Sequence, residues 1–363
     1  MKLQVTQENL NKALNSVSRV ASSRSTLPIL ANVLIKTDNN LLTVSATNLN
    51  IAITHSIGAK VTTKGSITVP AKLMQEFISS LPNGIINLEL NGTKLKLETD
   101  KYNSTINGII SEDYPIMPSI NNKNTWKISS LTLKEALSQV IFTASSDETR
   151  PILTGILFSV INNNLYLVAT DSYRLAEKKV IKLDHEMNLL IPASSMHDLL
   201  RILPDNDTEV LITYDENQIK FKINEIELLT RLLNGTYPDY KQLIPKQFST
   251  SAVLKKSDLL NVVKVSSLFA RENAGSIKIE VNKEDSTLSV KSIASQIGEN
   301  TASAEARINN SGEITINARY LLEALNAIPG ETVEFSFNGK LEPTIIKDPK
   351  KTDYNHIIMP LKS

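Results

Sequence analysis

The chain has no cysteine in 363 residues. That removes disulfides, thiolate nucleophiles and cysteine-ligated metal sites together. Histidine is scarce too, with four residues (His55, His185, His197 and His356), no two of them at metal-ligand spacing. Bulk charge is missing as well. Lys and Arg number 39 against 38 Asp and Glu, a net charge of +1, so attraction to nucleic acid through overall charge is excluded and any such contact has to be local. No apolar run approaches the roughly 18 residues of a membrane span, and the start MKLQVTQENLNKAL has no apolar secretory segment, so the expectation is a cytoplasmic protein without a membrane partner. No metal or other cofactor is expected.

What is present is a repeat. KALNSVSRVASSRSTLPILANVLI from Lys12 returns as EALSQVIFTASSDETRPILTGILF from Glu135. Ala13 and Ala136, Ala21 and Ala144, Pro28 and Pro151, and Asn48 and Asp171 all stand 123 residues apart. A second series, VPAKLMQEFISSLP from Val69, IPASSMHDLLRILP from Ile191 and INARYLLEALNAIP from Ile316, adds a third copy. Each of its members runs with helical periodicity and stops at a Leu-Pro or Ile-Pro pair that cannot continue a helix. Three domains are therefore expected, over 1–122, 125–247 and 250–363, with joins in the polar stretches SINNKNTW and PKQFSTSA.

Within a copy, Leu10, Leu14 and Val17 mark an amphipathic helix. Asp38-Asn39-Asn40, Asn162-Asn163-Asn164 and Asn91-Gly92 sit between β-rich runs and mark hairpins. The fold class is α+β, each copy carrying two helices on antiparallel sheet.

The stretch LVATDSYRLAEKK, Leu167 to Lys179, places Thr170, Asp171, Ser172 and Arg174 close together. One reading is a hydrolase using Asp171, Ser172 and a histidine. The chain offers neither a nucleophile elbow nor a phosphate loop to support it, and Asn48 stands where Asp171 does. Both residue types bond their own backbone in turns, so Asp171 reads as a turn residue inherited from the repeat. The distinctive content of the second copy is Ser172-Tyr173-Arg174-Leu175.

ATD followed two residues later by RLA, TLPIL near residue 27, YPDY in the middle and IIMPLKS at the end together resemble the bacterial DNA polymerase III β subunits, the sliding clamps. The resemblance covers essentially the whole chain. It implies the DNA-clamp fold: two chains of three similar domains closing head to tail into a six-domain ring around double-stranded DNA, which is encircled without regard to sequence. It implies no catalysis. DNA polymerase, the clamp loader and repair proteins would be tethered through short apolar peptides.

Carried over by motif, the peptide cleft would be lined by Leu153, Thr170, Ser172, Tyr173, Arg174 and Leu175, by Pro238, Gln242 and Leu243, by Leu341 and Pro343, and by Ile358, Met359, Pro360 and Leu361. Aliphatic anchors would be buried there while Arg174 and main-chain groups fix the peptide's register. The chain departs from the commonest family pattern at Ser172-Tyr173, where many relatives have Gly-His, and at Gln242, where some carry a basic residue.

For DNA, the family's loop arginine corresponds to Arg24. Helical charges suited to a channel are Lys12, Arg19, Lys72, Lys134, Arg201, Lys264 and Arg319, with Lys72 and Arg319 at equivalent places in their copies. The dimer contact would use Leu268 and Phe269 of the third copy against an edge of the first at STINGII, with Ile106. A peptide-binding adaptor that forms no ring is the alternative of a different class.

Overall fold

The computed structural model describes residues 1–21, 27–115, 120, 124–271, 274–294 and 298–361. Six α-helices lie among the described residues: α1 Gln7–Val17, α2 Ala71–Ser80, α3 Ser130–Val140, α4 Ala193–Ile202, α5 Lys256–Phe269 and α6 Ala318–Ala327. In α1 the Thr6 side chain caps the N-terminus and Leu10, Ala13, Leu14 and Val17 are buried, as their spacing requires. Helices α2, α4 and α6 each end two residues before the expected proline, at Ser80, Ile202 and Ala327. The hairpins form where the Asn and Gly residues place them, with Asn39 at φ 50°, Asn162 at 50°, Asn163 at 57° and Gly92 at 61°, the left-handed conformations that tight hairpin turns demand.

The chain forms two compact units, Met1–Leu131 with His197–Leu232, and Thr132–Met196 with Leu233–Ser363. Each is built on two antiparallel sheets. The first unit has a five-stranded sheet in the order Lys60–Thr63, Lys2–Thr6, Ile85–Asn91, Lys94–Glu98, Asn103–Asn107. Its eight-stranded sheet runs from Asn124–Ser129 at one edge to Gly65–Pro70 at the other, and at its middle Ile226–Arg231 of the second copy pairs with Ile51–Gly58 of the first, Leu229 opposite Ala52.

The second unit repeats the device. In its nine-stranded sheet, Arg174–Lys182 of the second copy pairs with Tyr354–Ile358 of the third, with Leu175 opposite Ile357 and Arg174 opposite Ile358. Its four-stranded sheet ends in the strand Gly298–Glu305. A strand edge left open would invite indiscriminate pairing, and here one copy's edge is covered by the next. The sequence repeat and the sheets are thus cut at different places. An offset of 123 residues marks the first two copies and the recurring helix segment marks the third, while backbone pairing joins each copy to the next.

Candidate peptide-binding cleft and cationic helix faces

The turn after the strand Asn164–Thr170 is the same object in both copies, bond for bond. Asn48 Oδ1 accepts from the N–H groups of Asn50 and Ile51, both at 3.0 Å, and Asp171 Oδ1 accepts from those of Tyr173 and Arg174 at 2.9 and 3.0 Å. Thr47 donates to the Ile51 carbonyl at 2.9 Å, as Thr170 does to that of Arg174 at 2.6 Å. Leu49 and Ser172 both take positive φ, 76° and 77°, a conformation glycine holds at lower cost. Each turn is then joined to its neighbouring strand, Arg231 N–H to the Asn50 carbonyl and Met359 N–H to the Tyr173 carbonyl. Asp171 is a scaffold group whose acceptors are already used.

The two copies part at the next side chain. Ile51 and Arg174 are equally buried, so the second copy puts a cation where the first puts a hydrocarbon. A buried guanidinium persists only if its charge and its donors are satisfied. Arg174 Nε donates to Asp171 Oδ2 at 3.0 Å, Nη2 donates to the Phe142 carbonyl at 2.7 Å, and Nη1 is bonded to Glu323 Oε2. Its planar face lies over the ring of Tyr320 at 4.4 Å and that of Phe142 at 5.5 Å. The expected direct role of Arg174 in fixing a peptide's register therefore meets a side chain that is 4% exposed and bonded through all three nitrogens. It braces the turn from within.

Around that turn, Leu157, Val168, Leu175, Leu190, Tyr240, Ile345 and Ile357 form one apolar cluster, with Ile152, Leu233, Tyr237 and Ile244 packed on it. Of the residues expected in the cleft, Leu153, Thr170, Arg174, Leu175 and Ile358 are buried and belong to the frame. Ser172, Pro238 and Gln242 are exposed, and Gln242 Nε2 donates to Asp239 at 2.6 Å. Large apolar side chains nevertheless face solvent: Tyr173 is 58% exposed, Leu243 45% and Leu341 68%. Pro343, Met359, Pro360 and Leu361 are half-buried. Thr344 pairs with Ile358, which brings Pro343 beside the start of the C-terminal segment, and Leu361 N–H donates to the Thr315 carbonyl at 2.8 Å. The apolar terminus is docked rather than frayed.

Sequence reasoning missed the supports. Lys241 stands over the Tyr166 ring at 4.4 Å and is bonded to the buried Glu177, pinning the 240–243 turn to the sheet. Tyr237 and Tyr240, which pack in or on the cluster, lie in the YPDY motif already singled out, and that motif was the available signal. Tyr320, Phe142 and Glu323 carried none.

A second buried polar group lies behind Arg174. The Tyr354 hydroxyl has one hydrogen, directed at the Gln139 carbonyl at 3.0 Å, so the 3.1 Å contact with His356 Nδ1 places the imidazole proton there and leaves Nε2 without a partner. Full burial, with Arg174 nearby, pushes the His356 pKa down to about 3. Below its ordinary value of 6.5 the unfolded chain takes a proton that the folded chain refuses. This stability is therefore complete above pH 6.5 and is lost as pH falls toward 3. Between pH 6.5 and 5 the loss expected is roughly 2 kcal/mol. Urea denaturation across that range should show the slope, and His356→Phe should flatten it.

In the first unit, Arg19 joins two depressions. One, of about 330 Å³, is lined by Arg19, Lys72, Asn15 and Gln75. The other, of about 280 Å³, is lined by Arg19, Ser16, Asp198 and Arg201. Arg19 lies past the end of α1, so the helical placement expected of it is corrected. Asp198 accepts from Arg201 at 2.8 Å, and burial pushes its carboxyl upward against the pull of that cation. Lys12 pairs with Glu8 at 2.6 Å and Lys72 stands 3.9 Å from Glu76. In the second unit Lys264 and Arg319 are exposed and Lys134 is half-buried. Arg24 lies outside the described residues.

The expected interface residues divide. Leu268 is 52% exposed on α5, one turn from Val265 at 46%, and Phe269 is half-buried. Ile106 needs correction. It is 6% exposed, the one inward residue of the edge strand Asn103–Asn107, because side chains alternate and this one faces its own sheet. That edge has backbone, not the Ile106 side chain, to offer a partner.

Among the described residues no group of three or more His, Asp or Glu is placed to hold a metal ion, and no helix is long and apolar enough to cross a membrane.

Tandem α+β copies joined by shared antiparallel sheets, with large apolar side chains exposed on the second unit, are the architecture of a clamp-type protein. The comparisons with known proteins agree. Three family models match, the DNA polymerase III beta subunit N-terminal domain over residues 1–118, the central domain over 127–239 and the C-terminal domain over 241–362. The beta sliding clamp of Synechococcus elongatus is 30% identical over 375 residues, covering all of this chain and 99% of the relative. The Bacillus subtilis clamp structure is 29% identical with a TM-score of 0.96, over 100% of this chain and 99% of that one. A Bartonella birtlesii clamp bound to griselimycin is 25% identical with a TM-score of 0.95, over the whole of both chains. The chain belongs to the DNA polymerase III β-subunit family, the beta sliding clamps, and has their three-domain clamp fold. Its function is that of a sliding clamp, a processivity factor and not a catalyst.

Proposed function

We propose that two copies of this chain close head to tail around duplex DNA, and that DNA polymerase, clamp loader and repair proteins dock short apolar peptides on the second unit's cleft. The observation that carries the reading is the set of exposed Tyr173, Leu243 and Leu341 in a unit whose C-terminal segment is pinned beside the Tyr173 turn. Exposed apolar side chains above a packed floor are what a peptide's anchors bury against, and the half-buried Met359 lets the surface repack around different partners. The working domains are 1–122, 125–247 and 250–363.

On the DNA side, Arg19, Lys72, Arg201, Lys264 and Arg319 supply local cations on a chain of near-zero net charge. Contacts from them would go to phosphates and carry no base information, which suits sliding. Lys12, exposed and paired with Glu8, and the half-buried Lys134 join them, and Arg24 is added as a DNA contact by resemblance. Dimer closure is assigned to Val265, Leu268 and Phe269 on the third copy, and to the strand edges Asn103–Asn107 and Gly298–Glu305, which lie at the ends of their sheets. A head-to-tail contact that does not close makes a filament, so closure is part of the proposal.

Griselimycin, which the Bartonella relative binds, is the probe for the cleft. Leu243→Asp and Leu341→Asp should each weaken its binding by at least about tenfold, since each puts an unpaired charge against an apolar ligand. Calorimetry checks this, with Lys72→Ala as the control outside the cleft. Unchanged affinity in both cleft variants would contradict the assignment.

A further inference from the structure

Four alternating charges run through the second unit from the exposed face of α6 to the cleft turn. Arg319 holds Glu323 Oε1 through Nε at 3.2 Å. The other oxygen of Glu323 accepts from Arg174. Arg174 in turn holds Asp171 Oδ2, while Asp171 Oδ1 carries the turn's N–H groups. Side-chain exposure falls along this line, from 73% at Arg319 through 32% at Glu323 to 4% at Arg174. A single carboxylate charge is thus divided between a cation in solvent and a cation in the interior.

We infer that Glu323 is a positioning residue that links phosphate contact at Arg319 to ligand affinity at the cleft, through the firmness with which it holds Arg174. The inference rests on the reading of Arg319 as a DNA contact. When Arg319 turns to a phosphate it withdraws its charge from Glu323, whose attraction then falls on Arg174. That second pair is shielded from water, so a change there is screened far less than one at the surface. Arg174 is fixed at its far side by Asp171 and across its face by Tyr320. A firmer hold on it therefore stiffens the turn that presents the exposed Tyr173 ring. Stiffening a binding surface in its bound form lowers the ordering cost of binding. DNA occupancy should tighten ligand binding, and ligand should tighten DNA binding by the same factor. Because Arg319 is solvent-exposed, the factor is small, about threefold.

The test measures griselimycin affinity with and without a saturating short DNA duplex, and duplex affinity separately by anisotropy at low salt. In the unsubstituted protein the duplex should tighten griselimycin about threefold. Arg319→Ala should bind griselimycin as tightly without duplex as the unsubstituted protein does with it, should show no further response, and should bind duplex more weakly. Glu323→Gln should bind duplex at least as well as the parent and show no response. A response in Glu323→Gln equal to the parent's, or no response in the parent while Arg319→Ala still weakens duplex binding, overturns the linkage alone. Duplex affinity unaltered by Arg319→Ala overturns the DNA reading of Arg319 and the linkage with it.

Discussion

Replacing Arg174 by alanine is expected to destabilise the second unit by about 3–5 kcal/mol, the range for removing one partner of a buried ion pair. The cost comes less from the lost attraction than from what is left behind. Asp171, 15% exposed, loses its counter-ion, the Phe142 carbonyl loses its donor, and the faces of Tyr320 and Phe142 border a void. Asp171→Asn should be milder, about 1–3 kcal/mol, because Asn48 shows that an amide holds the turn itself, while only the Arg174 Nε–H loses its acceptor and Glu323 keeps the guanidinium paired. Denaturant unfolding of the two variants checks the ratio. A catalytic carboxylate would give the opposite pattern, with Asp171→Asn the variant that abolishes function while the fold survives.

Leu268→Asp should turn a two-chain species into single chains. On α5, Leu268 and Val265 stand three apart and so share a face, and both are about half exposed in the single chain. An aspartate there costs the chain's own stability little, about 0.5 kcal/mol, because the leucine is more than half exposed in the single chain. In a closed interface the same carboxylate would be stripped of water with no cation provided for it. A penalty of about 4 kcal/mol raises the dissociation constant roughly a thousandfold. Mass in solution by light scattering distinguishes the outcomes. A monomeric parent chain at micromolar concentration would favour the peptide-binding adaptor that forms no ring.

Much of the fold is legible in the sequence because its signals are local. Proline after each Leu or Ile ends helices α2, α4 and α6, and the Asn and Gly residues at the hairpins take the positive φ values their chemistry permits. The repeat even assigns Asp171 its turn role through Asn48. What escapes is the pairing of one copy with the next. Nothing local to Ile51–Gly58 says that its partner is Ile226–Arg231, or that Arg174–Lys182 will meet Tyr354–Ile358. The same distance hides the counter-ion of Arg174, since Glu323 lies 149 residues away. Ile106 shows the limit in small: its edge strand was found, but which of its side chains turns inward depends on register with Leu95 across the sheet. In the cleft, motif reading gathered the right segments and could not sort frame from surface. Leu153 and Leu175 are buried while Leu243, on the 240–243 turn held by the Lys241–Glu177 contact, is open.

Encirclement rather than adhesion is what should hold the protein on DNA. The direct measurement is retention on nicked circular DNA after loading, followed by linearisation with a restriction enzyme. Retention on the circle is expected at salt concentrations that dissolve phosphate contacts, with release once the circle is cut. Protein that stays bound after cutting, or that leaves the intact circle as readily as the linear form, would contradict it.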